Sequence, residues 1–253
     1  MGRVIAMANQ KGGVGKSTTV INLSAYLADS GQRVLAVDID PQGNTTTGLG
    51  IDKQACEVSI YDVLLDEAPV MAAVQATEVP SLHVLPATLD LAGAEIELTR
   101  VPEREHRLAQ VLAPIVDRYD YAFIDCPPSL GLLTLNALTA ADGVIIPIQC
   151  EFFALEGLTQ LLSTIDLVRR DVNPRLQLDG VLLTMFDGRT NLAQQVAQEV
   201  RQHFGSQVFR AVIPRSVRLS EAPSYGQPIS RYDPRSKGAL LYADLAKEVL
   251  EHA

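Results

Sequence analysis

Short, continuous apolar runs alternate along the chain with longer stretches in which apolar residues return every third or fourth position. The runs begin at Val4 and at residues 33–38, 82–86, 121–125, 143–147 and 180–185, six in all. Each has the length and the β-branched or aliphatic content of a strand buried on both faces. Between them, residues 17–27 carry Val20, Leu23 and Leu27 at helical spacing and stop at Gly31. Residues 59–65 predict a short helix and residues 154–168 a longer one. Residues 103–119 set Leu108, Val111, Leu112, Ile115 and Val116 on one helical face, with Pro114 placed to bend or break it. This alternation predicts an α/β fold, a mostly parallel twisted sheet with helices on both faces, built as a single domain over residues 1–253. No internal repeat, low-complexity tract or linker interrupts it.

The first polar interruption carries chemistry. After the strand at Val4 comes Asn9-Gln10-Lys11-Gly12-Gly13-Val14-Gly15-Lys16-Ser17-Thr18, and a helix begins near Ser17. Three glycines in four positions let the backbone turn its N–H groups toward one anion, and the helix adds its positive end. Lys16 is set to reach the β- and γ-phosphates of a nucleotide, and the Ser17 hydroxyl is a hard oxygen ligand suited to Mg²⁺. The spacing G-x-x-x-x-G-K-[ST] is incomplete, because its first glycine falls on Gln10, and a second lysine, Lys11, stands beside the loop. A flexible ammonium next to a polyphosphate either binds it or is directed elsewhere.

Two strands end in acids. The run 33–38 closes in Asp38-Ile39-Asp40-Pro41-Gln42-Gly43-Asn44, two carboxylates one residue apart that point the same way if the strand persists. The run 121–125 closes in Asp125, followed by Cys126-Pro127-Pro128, the form of a strand-end carboxylate that holds Mg²⁺ directly or through water.

Composition narrows the classes. With 47% hydrophobic and 20% charged residues, 253 residues suffice for one core without staples. Cys56, Cys126 and Cys150 are odd in number and widely spaced, and His83, His106, His203 and His252 show no ligand spacing, so a reducing cytoplasm fits and a disulfide framework or zinc site does not. Cys126 reads as a packed residue rather than a nucleophile. The first apolar run is too short for a signal peptide or a membrane span. A net charge of −9 argues against nucleic acid, yet residues 201–240 hold seven bases (Arg201, Arg210, Arg215, Arg218, Arg231, Arg235 and Lys237) against Glu221 and Asp233. Arg189, just before a predicted helix, can join that surface.

The form Lys-Gly-Gly-x-Gly-Lys-[Ser/Thr] at 11–17 resembles the deviant Walker A box of the ParA/MinD group of P-loop NTPases. Further boxes, at 37–44, 124–131 (Ile-Asp-Cys-Pro-Pro-Ser-Leu-Gly), 183–185, 189–192 and 213–224, extend the resemblance over essentially the whole chain to chromosomal ParA proteins of the Soj kind. The resemblance implies an ATPase switch for chromosome or plasmid segregation. In such a switch ATP and Mg²⁺ drive a sandwich homodimer, the dimer binds double-stranded DNA without sequence preference, and a ParB/Spo0J-type protein triggers hydrolysis. It implies a cytoplasmic protein, nucleoid-associated when ATP-bound, with replication or sporulation control as a further role.

Carried onto this sequence, the family pattern has Lys11, Gly12, Gly13, Val14, Gly15, Lys16, Ser17 and Thr18 cradle the nucleotide. It has Ser17 and Asp125 hold Mg²⁺, Asp40 position the attacking water, and Lys11 reach across the dimer to the partner's nucleotide. Gly12 stays small where the partner approaches. Pro214 flanks the adenine, and Arg189 and Arg218 meet DNA. Ser216 stands where the family usually has Asn. A hydroxyl offers one donor and two acceptor lone pairs rather than two donors and an acceptor, which implies looser base recognition or one resting on backbone groups. Three rivals share some of these boxes. A MinD-like membrane switch would need a C-terminal amphipathic helix with basic residues, but the charges of residues 242–253 are mostly acidic, so no stable membrane anchor is expected. The second is an ATP-dependent metabolic or electron-transfer enzyme of the same group, whose iron–sulfur form would need paired cysteines that Cys56, Cys126 and Cys150 do not offer. A polymerising scaffold would not need Asp40.

Overall fold

The computed structural model describes residues 2–151 and 154–251. In chain order the strands are β1 (Arg3–Met7), β2 (Val34–Asp38), β3 (Gln75–Ala76), β4 (Leu82–Leu85), β5 (Tyr121–Asp125), β6 (Gly143–Gln149), β7 (Gln177–Phe186) and β8 (Val208–Pro214). They form one sheet in the order β3-β4-β2-β5-β1-β6-β7-β8, parallel throughout except for the β3–β4 pair. The helices are α1 (Lys16–Asp29), α2 (Asn44–Gly48), α3 (Ile60–Leu64), α4 (Val70–Ala73), α5 (Leu91–Glu97), α6 (Arg107–Leu112), α7 (Leu132–Ala140), α8 (Ala154–Asp171), α9 (Asn191–Phe204), α10 (Val217–Glu221), α11 (Ile229–Tyr232) and α12 (Lys237–Glu251). His252 and Ala253, part of the C-terminal segment weighed above, lie outside the described residues.

Strand side chains alternate between faces, so each apolar run feeds two cores. Val4, Ala6, Leu35, Val37, Ala122 and Ile124 face one core, which Leu91, Leu108, Leu133, Leu161 and Val196 roof from α5 to α9. Ile5, Met7, Val34, Ala36, Tyr121 and Phe123 face the other, under Val20, Leu23 and Leu27 of α1 and Tyr242 and Leu245 of α12. The six expected strands are present, and β3 and β8 were not foreseen. Strand β3 is two residues long, and the mostly buried β8 is interrupted by the exposed Arg210, so neither shows a continuous apolar run.

Local chemistry sets the element ends. Helix α1 ends where Gly31 takes φ +90, and Ser59 caps α3 in a reciprocal pair with Asp62. The helix expected over 103–119 is shorter. Its regular part is α6 alone, flanked by 3-10 turns at Arg104–His106 and Val116–Arg118. Pro114 has no N–H to donate and its ring crowds the carbonyl four residues back, so the helix stops before it.

The free edge at β8 is tied to α12. Glu248 is 5% exposed and accepts the N–H groups of Arg210 at 2.8 Å and Ala211 at 2.7 Å, where the β7–β8 register is irregular. Glu248→Ala would leave both donors without this acceptor and is expected to cost about 2–4 kcal/mol of stability in urea titration. A loss below about 0.5 kcal/mol, the size of an ordinary surface change, would mean that the carboxylate does not hold this edge.

Candidate active site

Strands β1, β2 and β5 lie side by side, with Asp38 in register with Asp125, so the glycine loop and the strand-end acids meet at the carboxyl edge of the sheet. The loop between β1 and α1 turns through Gly13 at φ +73 and Gly15 at φ +92, values that favour glycine. It is anchored from outside. Asn9 Nδ2 donates to the Pro147 carbonyl at 2.7 Å, the Lys11 amide donates to Asn9 Oδ1 at 2.9 Å, and Thr184 Oγ1 donates to the Val14 carbonyl at 2.8 Å. No side chain caps α1, which leaves the donors of its first turn for a ligand.

A cavity of about 570 Å³ opens over this loop, lined by Gly12, Gly13, Gly15, Lys16, Ser17 and Thr18, with Asp40 and Pro128 opposite. An adjoining space of about 200 Å³ shares Gly15 and Thr18 and is lined by Pro214, Ser216 and Thr184. The larger cavity of the molecule, about 1120 Å³, lies at the other end of the strands, beside Arg3, Asp142 and Gln177. Ligands of open α/β sheets bind at the carboxyl ends, and the cavity there is lined by Lys16 and Asp40, while Asp38 and Asp125 lie buried at the strand ends.

Lys16 is 6% exposed, and its Nζ donates to the Lys11 carbonyl at 3.2 Å. Burial draws its pKa below the ordinary lysine range, and the negative charges of Asp125 and Asp40 oppose that shift. Asp125 and Asp38 are fully buried, and both are held above the ordinary carboxylate range. Loss of water is the larger cause in each. For Asp38 the charge of Asp125 adds to it; for Asp125 the hydroxyls of Ser17 and Thr45 and the charge of Lys16 work against it. Burial likewise pushes the Cys126 thiol up, which suits a packed residue and not a nucleophile.

The oxygens of Asp125 are used unequally. Oδ2 accepts from Thr45 Oγ1 at 2.7 Å, while Oδ1 is buried with no hydrogen-bond partner among the described residues. The Ser17 hydroxyl acts on this carboxylate without the geometry of a hydrogen bond. An orphaned carboxylate oxygen beside a hydroxyl is a hard-oxygen donor pair that fits Mg²⁺, which keeps several waters and takes one or two protein ligands. Consistently, no group of three or more His, Cys, Asp or Glu among the described residues could build an all-protein metal cage.

Asp38 and Asp40 do not point the same way. The strand ends at Asp38, whose Oδ2 accepts Thr46 N–H at 2.8 Å and Thr46 Oγ1 at 2.7 Å, and whose Oδ1 accepts the Asp40 N–H at 3.2 Å. Asp38 therefore braces the following turn from inside. Asp40 reaches the cavity, and its Oδ1 accepts the Gln42 N–H at 3.0 Å. Sequence reasoning missed Thr45, Thr46 and also Lys53, which lines the cavity and donates to the Gln42 carbonyl at 2.6 Å. Their only local signal is proximity to the acidic box.

Lys11 is absent from the cavity lining. Its Nζ pairs with Glu151 Oε2 at 3.3 Å. Around Gly12 an added Cβ would meet only Pro128 Cβ at 3.8 Å, so packing within this chain does not require its small size. The basic surface read from residues 201–240 is largely neutralised in space. Arg189 is paired with Asp187 through two contacts at 2.8 and 2.7 Å, and Arg218 with Glu221 at 3.1 Å and Asp233 at 3.6 Å. Arg210, Arg215 and Arg231 pair with Glu251, Glu151 and Asp29. A count along the sequence leaves out acids that the fold brings in from elsewhere.

Comparison with known proteins follows this geometry. An AAA-domain family model matches residues 2–178. The sporulation initiation inhibitor protein Soj of Bacillus subtilis is 60% identical over 249 residues, 98% of each chain. The chromosome partitioning protein ParA of Myxococcus xanthus is 55% identical over 99% of this chain and 89% of its own. Among solved structures, a cobyrinic acid a,c-diamide synthase from Mycobacterium smegmatis with bound ADP and magnesium superposes with a TM-score of 0.88 at 43% identity, covering 100% of this chain and 95% of that one. The cell division ATPase MinD of Pyrococcus furiosus superposes with a TM-score of 0.82 at 29% identity over 100% of both. Among the described residues no helix is long and apolar enough to cross a membrane. With near full-length identity to Soj and ParA, and with the glycine loop, buried lysine and strand-end acids in place, this chain belongs to the ParA/Soj family of chromosome-partitioning ATPases.

Proposed function

We propose that this protein is an ATP-dependent DNA-segregation switch. Mg·ATP joins two subunits face to face, the dimer holds duplex DNA without sequence preference, and a ParB/Spo0J-type partner stimulates the hydrolysis that releases it. The observation that carries the reading is the division between two lysines of one loop. Lys16 is buried in its own cavity, whereas Lys11 stands outside that cavity, 40% exposed and held through a half-exposed pair with Glu151, which leaves it within reach of a neighbour's site. In this reading residues 11–18 bind the phosphates, and Ser17 and Asp125 hold Mg²⁺, which neutralises charge on the transferring phosphoryl group. Asp40 orients water, and Pro214 and Ser216 receive the base in the adjoining space. Phosphoryl transfer asks for positioning and charge neutralisation more than covalent chemistry, so Lys11 arriving from the partner completes a site that is slow alone. The dimer associates with the nucleoid through Arg189 and Arg218.

The test is equilibrium binding to a random-sequence duplex with ATP, with ADP, and with Arg189→Ala plus ATP. Binding is expected only for the wild-type protein with ATP, and indifference to DNA in every condition would end the segregation reading. The salt response adds detail. Four arginine contacts from two subunits give a log–log slope near −3.6, at about −0.9 per phosphate neutralised. Here Arg189 must first leave Asp187, and Arg218 must leave Glu221, so the wild-type slope is expected to be shallower. Asp187→Asn should steepen it toward −3.6 and tighten binding about 3- to 10-fold at low salt. Equal slopes for the two proteins would show that the Asp187 pair does not compete with DNA.

A further inference from the structure

We infer that Glu151 is a positioning residue for Lys11, parking it on its own subunit and releasing it when two subunits join. The proposal rests on the reading that Lys11 acts across the dimer.

Glu151 is an acceptor whose two oxygens are already divided. Oε1 takes Gln149 Nε2 at 2.5 Å and Arg215 Nη2 at 3.1 Å, and Gln149 is itself buried at the end of β6. Oε2 is left for Lys11 Nζ at 3.3 Å. The carboxylate is therefore aimed by two other donors, and loss of Lys11 leaves it paired with Arg215 rather than orphaned. The backbone of Lys11 is fixed separately, through Asn9 to the Pro147 carbonyl of β6. Only the lysine side chain has to swing, so the phosphate loop keeps its shape whether Lys11 is parked or delivered. No other carboxylate holds Lys11 among the described residues.

The pair is half-exposed, 40% and 44% by side chain, which bounds its strength. Such a pair biases an equilibrium by up to about fivefold. In a two-fold symmetric dimer both pairs open together, so the bias on association reaches about 25-fold. A contact of this size delays dimerisation at low protein concentration without forbidding it.

The experiment is the dimer dissociation constant with a non-hydrolysable ATP analogue and Mg²⁺, by sedimentation, for wild type, Glu151→Gln, Lys11→Met and the double variant. Glu151→Gln is expected to tighten the dimer about 5- to 25-fold at low salt, with the gap closing as salt screens the pair. In the Lys11→Met background the same substitution should change nothing, which separates the Lys11 contact from any effect through Arg215. An unchanged or weakened Glu151→Gln dimer, alongside a defective Lys11→Met protein, overturns the parking role and leaves the lysine's action across the dimer standing. If Lys11→Met dimerises and turns over like wild type, the underlying reading fails and this proposal with it.

Discussion

Lys16→Ala is expected to abolish ATP-driven dimerisation, with ATP affinity falling by at least about two orders of magnitude. The other charges that act on Lys16 in its cavity are negative, chiefly Asp125 and Asp40, and Asp38 lies fully buried beside Asp125. Removing Lys16 would set these carboxylates against a polyphosphate with only Lys53, which is drawn to the Gln42 carbonyl at the cavity wall, left as a cation in the lining. Deleting one partner from such a buried set costs about 3–5 kcal/mol. Lys16→Gln preserves more of the packing and is expected to fail alike, because the loss is of charge. Light scattering with ATP reads the result. Dimers of either variant at wild-type protein concentrations would remove Lys16 from its role.

Asp40→Ala is expected to bind ATP, dimerise and stay dimeric, with turnover lowered by about 10²- to 10⁴-fold, the span of a positioned base. Asp40 is 6% exposed at the cavity wall, and its Oδ1 also holds the turn through the Gln42 amide. Two effects are thus mixed in the alanine variant. Asp40→Asn separates them, since its amide oxygen can still accept from Gln42 while the negative charge is gone. If charge and basicity set turnover, both variants trap the dimer. Wild-type turnover in Asp40→Asn alone would show that Asp40 shapes the loop and does not act on water, and wild-type turnover in both would remove Asp40 from any role in hydrolysis.

The central sheet was legible because its strands are buried on both faces, and burial is what a continuous apolar run reports. The chemistry was legible where it sits at the end of such a run, as with Asp125, or in a loop that only glycine can form, as at Gly13 and Gly15. Strand β8 escaped because the exposed Arg210 breaks its apolar run, although residues on both of its faces pack into the cores. The pairing of Asp187 with Arg189 was within reach of the sequence, two residues apart, but a count of charge sums along the chain whereas a field sums through space. Glu151 lies 140 residues from Lys11, and no periodicity carries that information. Asp38 and Asp40 diverge because side chains alternate predictably only while the strand continues, and the strand whose persistence their common direction required ends at Asp38.

Both margins of the sheet are closed to further strands. One is β3, two residues long, and the other is β8, where two amide donors are taken by Glu248 from a helix above. In the switch we propose, a subunit that meets and leaves its partner at a nucleotide's command cannot also carry a handle that works at all times, and an open strand would be one. With one margin short and the other held by Glu248, the proposed switch would leave association to the face that ATP controls.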